Sequence, residues 1–150
     1  MNTKRLFLLL TGLVLSVGGC ASTSDPAPMQ REHGLISFPE LSSLPILSVG
    51  PPLRVGVPTL VVVRTFGSST CDLPAGVDVS YAGAEVILTP WVRVSTQDVV
   101  CTADLAAHRH EAIVTFTQAG TNRVTVYGYK RDFNGHLVLG TISVDVTVDP

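Results

Sequence analysis

From Ile142 to Val148 every second residue is aliphatic, and Ser143, Asp145, Thr147 and Asp149 fill the places between and beyond them. Such a period sorts side chains onto two faces only when the backbone is extended, because a helix scatters alternate residues around its axis. The same beat recurs upstream. Val124, Val126 and Gly128 alternate with Thr125, Tyr127 and Tyr129, and Val77, Val79 and Tyr81 alternate with Asp78 and Ser80. A chain with this period and no helical one must bury itself as a sheet.

Turn chemistry divides the chain accordingly. Thr59 to Phe66, with three consecutive valines, reads as a strand buried on both faces or nearly so. Leu53, Val55 and Val57 predict a short strand ended by Pro58, and Glu85 to Thr89 predicts another, interrupted at Pro90 and resumed by Trp91 to Val94. Cys101 to His108 has room for one helical turn with Thr102 as its cap. Ala112 to Thr117 is a strand, Gln118 to Asn122 a turn in which Gly120 takes a positive φ, and Asp132-Phe133-Asn134-Gly135 a hairpin turn on its Asn-Gly pair. Leu35 to Gly50 is an edge segment or packed loop, since Pro39 and Pro45 oppose a central strand or a continuous helix. About seven or eight short strands, with turn signals roughly every 8–12 residues, predict an all-β, antiparallel β-sandwich.

The first twenty residues carry a different message. Lys4 and Arg5 precede an apolar run from Leu6 to Val17, followed by Gly18-Gly19-Cys20. That run is too short to span a bilayer core, which takes roughly 20 residues of helix. The order of charge, apolar run, small residues and Cys resembles a bacterial lipoprotein signal peptide with its lipobox. The resemblance implies removal of residues 1–19, lipidation of Cys20, and anchoring by more than one acyl chain. Ala21 follows the Cys where Asp would resemble an inner-membrane retention signal. An outer-membrane destination is therefore favoured if the cell is Gram-negative. Residues 20–34, small, polar and bearing prolines, are expected to form a flexible tether, and residues 35–150 the folded domain.

Processing at Cys20 leaves 131 of the 150 residues, enough for one domain with its own core. It also lowers the basic count from 10 to 8 against 12 acidic residues, a net charge of −4. A weak negative charge does not supply the basic footprint that nucleic acid requires. Cys71 and Cys101 remain as an even pair in an exported chain, and a disulfide between them is expected. The competing reading, two zinc thiolates, lacks any C-x-x-C spacing.

Phe116-Thr117-Gln118-Ala119-Gly120 followed by Val124 and Val126 is similar to the late strand–turn–strand of bacterial Ig-like modules. The spacing departs from antibody domains: Trp91 lies far beyond Cys71, and Val99 stands two residues before Cys101 where a Tyr is expected. The bridge should therefore pin loops at one end and not cross the core. Phe66-Gly67-Ser68-Ser69, Cys71 and Cys101-Thr102, followed by the Phe116 to Val126 pattern, also resemble an uncharacterised class of small exported lipoproteins. That class implies no activity.

Few residues suggest chemistry. His108 and His110 would project to one side of an extended chain and offer two imidazoles to a metal, with His33, His136 or a carboxylate as a third donor. Their competing reading is a solvated polar turn. A blue-copper site lacks its Cys and Met after Phe116. Gly67-Ser68-Ser69-Thr70 lacks the second Gly and the helix of a nucleophile elbow. With Val124 and Val126 inward, Tyr127 and Tyr129 point outward and could stack on a sugar or pack on a partner, or merely cover the sheet. The expectation is a membrane-anchored, non-catalytic interaction or scaffold module of the cell envelope, without a cofactor. Its partner would be another envelope protein or a glycan. The alternative is a small-molecule, carbohydrate or metal binding module using His108/His110 or the Tyr127/Tyr129 face.

Overall fold

A computed structural model describes residues 29–37, 45–96 and 100–150. The signal segment, Cys20 and Pro39 lie outside the described residues. Nine strands follow in order: β1 (Met29–His33), β2 (Leu35–Ser37), β3 (Leu47–Val49), β4 (Pro58–Gly67), β5 (Asp72–Ala82), β6 (Glu85–Ser95), β7 (Ala106–Thr115), β8 (Gly120–Arg131) and β9 (Leu137–Val148). The described residues contain no helix.

The strands form one connected, mixed sheet. Hairpins pair β5 with β6 and β8 with β9, and β4 pairs with β7 over ten residues from Pro58↔Thr115 to Gly67↔Ala106. Two ladders are parallel, β6 with β8 (Glu85↔Arg123 to Leu88↔Val126) and β2 with β8 (Leu35↔Tyr129). The expectation of purely antiparallel pairing in seven or eight strands is thus corrected. The parallel ladders join strands far apart in sequence, which local turn signals do not report.

Three local expectations also change. Met29–His33, expected in the tether, is a strand running antiparallel to β6 from Met29↔Ser95 to His33↔Trp91. Leu53 to Val57 forms no strand. Its backbone bonds to Asp149, and Gly56 takes a positive φ of 75° that breaks the extended run. The helical turn near Thr102 is absent, and β7 begins at Ala106 and so includes both His108 and His110. Conversely, Gly120 holds the predicted positive φ, 91°, and the predicted hairpin turn forms with Gly135 at a φ of 83°.

Alternation places the core. Val61 and Val63 of β4, Val86 and Leu88 of β6, Ala112 and Val114 of β7, and Val124 and Val126 of β8 all point inward. Ile36 of β2 and Phe116 join them, both essentially sealed from solvent. The stretch from Met29 to Ser37 ties the sheet together. Its first half lies on β6, and after Gly34 its second half lies between β8 and β4. Gly34 and Gly128 make that crossing possible: a Cβ on Gly128 would stand 2.6 Å from the Gly34 carbonyl oxygen.

Candidate functional site

The Met29–Ser37 crossing builds the most differentiated region of the molecule. On β1, alternation sends Arg31 and His33 to one face of the sheet and Glu32 to the other. On the first face His33 stacks on Trp91 with ring centroids 4.3 Å apart, and meets Tyr127 and Tyr129 edge-on at 5.3 and 5.8 Å. Arg31 lies 4.4 Å from the Trp91 ring centroid and pairs with Asp78 at 2.9 Å. Trp91 Nε1 donates to the other oxygen of Asp78 at 2.8 Å. The Arg31 bond, helped by the Trp91 indole, holds the Asp78 carboxyl below its ordinary range. Tyr127 and Tyr129 therefore share a face, as alternation requires, but they are half-buried members of a four-ring cluster. Two of the rings, His33 and Trp91, come from β1 and β6, neither of which is next to β8 in sequence.

Beside this cluster Glu32, His33, Leu35, Phe66, Asp72, Val92, Val94, Asp104, Leu105, Tyr129, Arg131 and Leu137 line a cleft of about 320 Å³, so that His33 and Tyr129 belong to both. That size is at the lower end for a ligand pocket. The lining mixes aromatic and aliphatic surface with three carboxylates, Glu32, Asp72 and Asp104, and with Arg131 and the His33 ring. The Cys71–Cys101 disulfide stands beside the cleft, with Cα atoms 5.6 Å apart. It joins the turn before β5 to the loop before β7 and so ties two loops together, as the cysteine spacing suggested.

A hydroxyl network binds the same two loops. Thr102 Oγ1 lies within hydrogen-bond distance of Ser68, Ser69 and Thr70. Asp104 accepts from the Thr102 hydroxyl and, at 3.1 Å, from the Ser69 backbone N–H. These bonds lower the Asp104 carboxyl to about 2. Asp72 accepts from the Ser68 N–H at 2.6 Å. Asp72 and Asp104, two of the three carboxylates at the cleft, are thus committed to shaping backbone. Gly67-Ser68-Ser69-Thr70 is a turn stitched by its own hydroxyls.

His108 and His110 do lie on one side of β7, in the row that continues into Ala112 and Val114. They are not in a solvated turn. His110 is buried and its Nε2 is 2.8 Å from Thr65 Oγ1, while His110 Nδ1 and His108 Nε2 are buried without a hydrogen-bond partner among the described residues. Burial, with a smaller contribution from His108, lowers the His110 pKa, and the Gly76 backbone opposes the shift. The expected third donors go elsewhere. His33 stands in the aromatic cluster, and His136 sits in the β8–β9 hairpin 3.5 Å from Asp132. Among the described residues no three His, Cys, Asp or Glu side chains gather as a metal site.

Sequence reasoning missed the roles of His33, Glu32 and Trp91. Met29-Gln30-Arg31-Glu32-His33 has no apolar alternation, so nothing in it signals a strand. Trp91 reads as one more strand residue until β1 is laid beside it. Compared with protein-family models, with characterised proteins and with solved structures, the chain matches none.

Proposed function

We propose that this chain is an exported lipoprotein, anchored through acylated Cys20, whose domain is a non-catalytic binding or scaffold module of the cell envelope. The sheet is read as folded over into an Ig-like sandwich. In that reading β4 and β7 form one layer, β5, β6, β8 and β9 the other, and Met29–Ser37 bridges them. The shared core drawn from β2, β4, β6, β7 and β8 supports this arrangement. The disulfide supports an oxidising compartment.

The observation that carries the binding role is the cleft beside the disulfide. Its walls are drawn from separate elements, and its end is held by a covalent bond and a hydroxyl network. Loops carried on a rigid frame are where recognition concentrates. Phe66, Leu105 and Tyr129 offer apolar surface, and Glu32 and Arg131 offer opposite charges. The cleft suits a short segment or protruding side chain of an envelope partner. Asp72 and Asp104 are tied to the loop backbone at the cleft, which supports the non-catalytic reading. The alternative reading as a sugar binder rests on the Trp91, Tyr127 and Tyr129 face, where the His33 ring already occupies a stacking surface of Trp91.

The test has two parts. The full chain is purified from its own membranes and weighed, and Cys20→Ser is followed by fractionation. Acylation at Cys20, and release of the variant from membranes, are expected. An unacylated mass would overturn the anchor. For the binding role, a photo-crosslinker at Leu105 in the cleft is compared with one at Ile113 on the exposed row of β7. A partner captured from Leu105 alone is expected. Equal capture from both positions would remove the cleft from the proposal.

A further inference from the structure

We infer that β9 is a self-association edge, along which two copies of this chain join their sheets antiparallel across a two-fold axis. The inference does not rest on the lipid anchor, and it shares only Leu137 with the cleft.

β9 is twelve residues long and has one strand neighbour, β8. Among the described residues nothing hydrogen-bonds to its other edge from Leu137 to Val148. The other edges are sheltered or short. β5 and β7 face each other, with the Thr115 N–H donating to the Tyr81 hydroxyl, and β3 has only three residues. A long open edge presents unpaired N–H and C=O groups to any extended chain, and natural proteins guard such edges with Lys, Pro or inward charges. Between Leu137 and Val148 there is no Lys, Arg or Pro.

The side chains point the same way. The inward row of β9 is sealed only at its end, where Val148 is 1% exposed, while Val144 is 38% and Val138 46% exposed. Leu137 and Leu139 on the outer row are similarly open. This apolar row extends past the core and needs more sheet beside it.

The occupant is a second β9 because the strand complements itself. In a two-fold pair, inward residues stay inward only if the axis passes through a residue position, so that partners have the same parity. Centred on Ile142, Val138 stands opposite Val146 of the second copy, and Gly140 opposite Val144. Asp145, the only charge in the strand, falls opposite Leu139 of the second copy and away from its own counterpart. It is already neutralised by Arg123 at 2.9 Å. Eleven paired residues from Leu137 to Thr147 close about ten backbone hydrogen bonds, comparable to a typical specific interface of about ten.

The test uses disulfide trapping of the full chain in its own membranes, with mild oxidant and non-reducing electrophoresis. Leu137 and Thr147 are both exposed and are predicted to face each other across the axis, so Leu137→Cys combined with Thr147→Cys should trap a dimer. Each single variant should not, because each position lies roughly 30 Å from its own copy at about 3.3 Å per residue. Ile142→Cys alone should trap it at the axis. Val144→Lys, added to the double variant, should reduce trapping at least tenfold. The proposal is overturned if the double variant traps no more dimer than the singles, if its thiols link to a different protein, or if Val144→Lys leaves trapping unchanged.

Discussion

At the scale of single residues, His110 shows how a polar group is accommodated in an apolar row. It lies between His108 and Ala112 on the inward side of β7, 3% exposed, with Thr65 as its hydrogen-bond partner. Its folded pKa is depressed while the unfolded value is about 6.5. The neutral ring is therefore the native one. This contribution to stability is complete above about pH 6.5 and is lost as pH falls below that value, by at most about 1.4 kcal/mol per pH unit. Urea midpoints at pH 7.5 and 5.5 should differ in that direction, and His110→Gln should reduce the difference. Asp104, held at about 2, behaves with the opposite charge. Its bonds to Thr102 and Ser69 persist above the ordinary carboxylate range near 3.9 and are lost as pH falls toward 2.

At the scale of elements, Pro90 illustrates how a breaker is tolerated. The sequence predicts an interruption, yet β6 runs unbroken from Glu85 to Ser95. Pro90 falls where one flank of β6 changes neighbour, β8 ending at Leu88 and β1 starting at Trp91. The missing N–H coincides with a gap in the ladder, and the Pro90 carbonyl accepts from Gly34 N at 2.9 Å. The crossing at Gly34 and Gly128 leaves no such slack. Gly128→Ala puts a methyl group against the Gly34 carbonyl and Ile36. It should cost roughly 1–3 kcal/mol by overpacking, measured by chemical denaturation. The disulfide works through the unfolded chain. It closes a loop with a separation of 30 residues, and the Cys71→Ala, Cys101→Ala pair should lower stability by about 3–4 kcal/mol. The wild-type chain should approach that value when reductant is added.

At the scale of the whole molecule, the two ends of the described chain meet the middle. β1 closes on β6, β2 wedges between β8 and β4, and Asp149 bonds to Leu53 and Val55. Pairings this distant in sequence must pay loop-closure entropy before they reward it, which places such sheets among the slower folders, in milliseconds to seconds. Trp91 is the only tryptophan and lies under His33 and Arg31 of β1. Its fluorescence reports docking of that strand. His33→Ala should alter the native Trp91 signal without abolishing the cooperative unfolding transition, and stopped-flow refolding should show the Trp91 signal recovering on that slow timescale.

The division between sequence and tertiary structure follows from range. Alternation from Val124 to Val148, the valines of β4, the Gly120 and Gly135 turns and the Cys71–Cys101 pair are local or compositional signals, and they determined an all-β chain with one disulfide. In β8 and β9 they determined which residues face inward, because side-chain direction follows from the extended backbone alone, whereas β4, read as buried on both faces, alternates with Leu60 exposed. The tertiary structure decided what lies beside what. Met29–His33 became a strand because Trp91 and the β6 edge were there to receive it. Tyr127 and Tyr129 became part of a cluster because His33 crossed to them, and His108 and His110 were separated from other donors by the register of β7 on β4. Neighbours across a sheet are set by competition among every available edge and apolar face, and that competition is resolved only when the whole chain is packed.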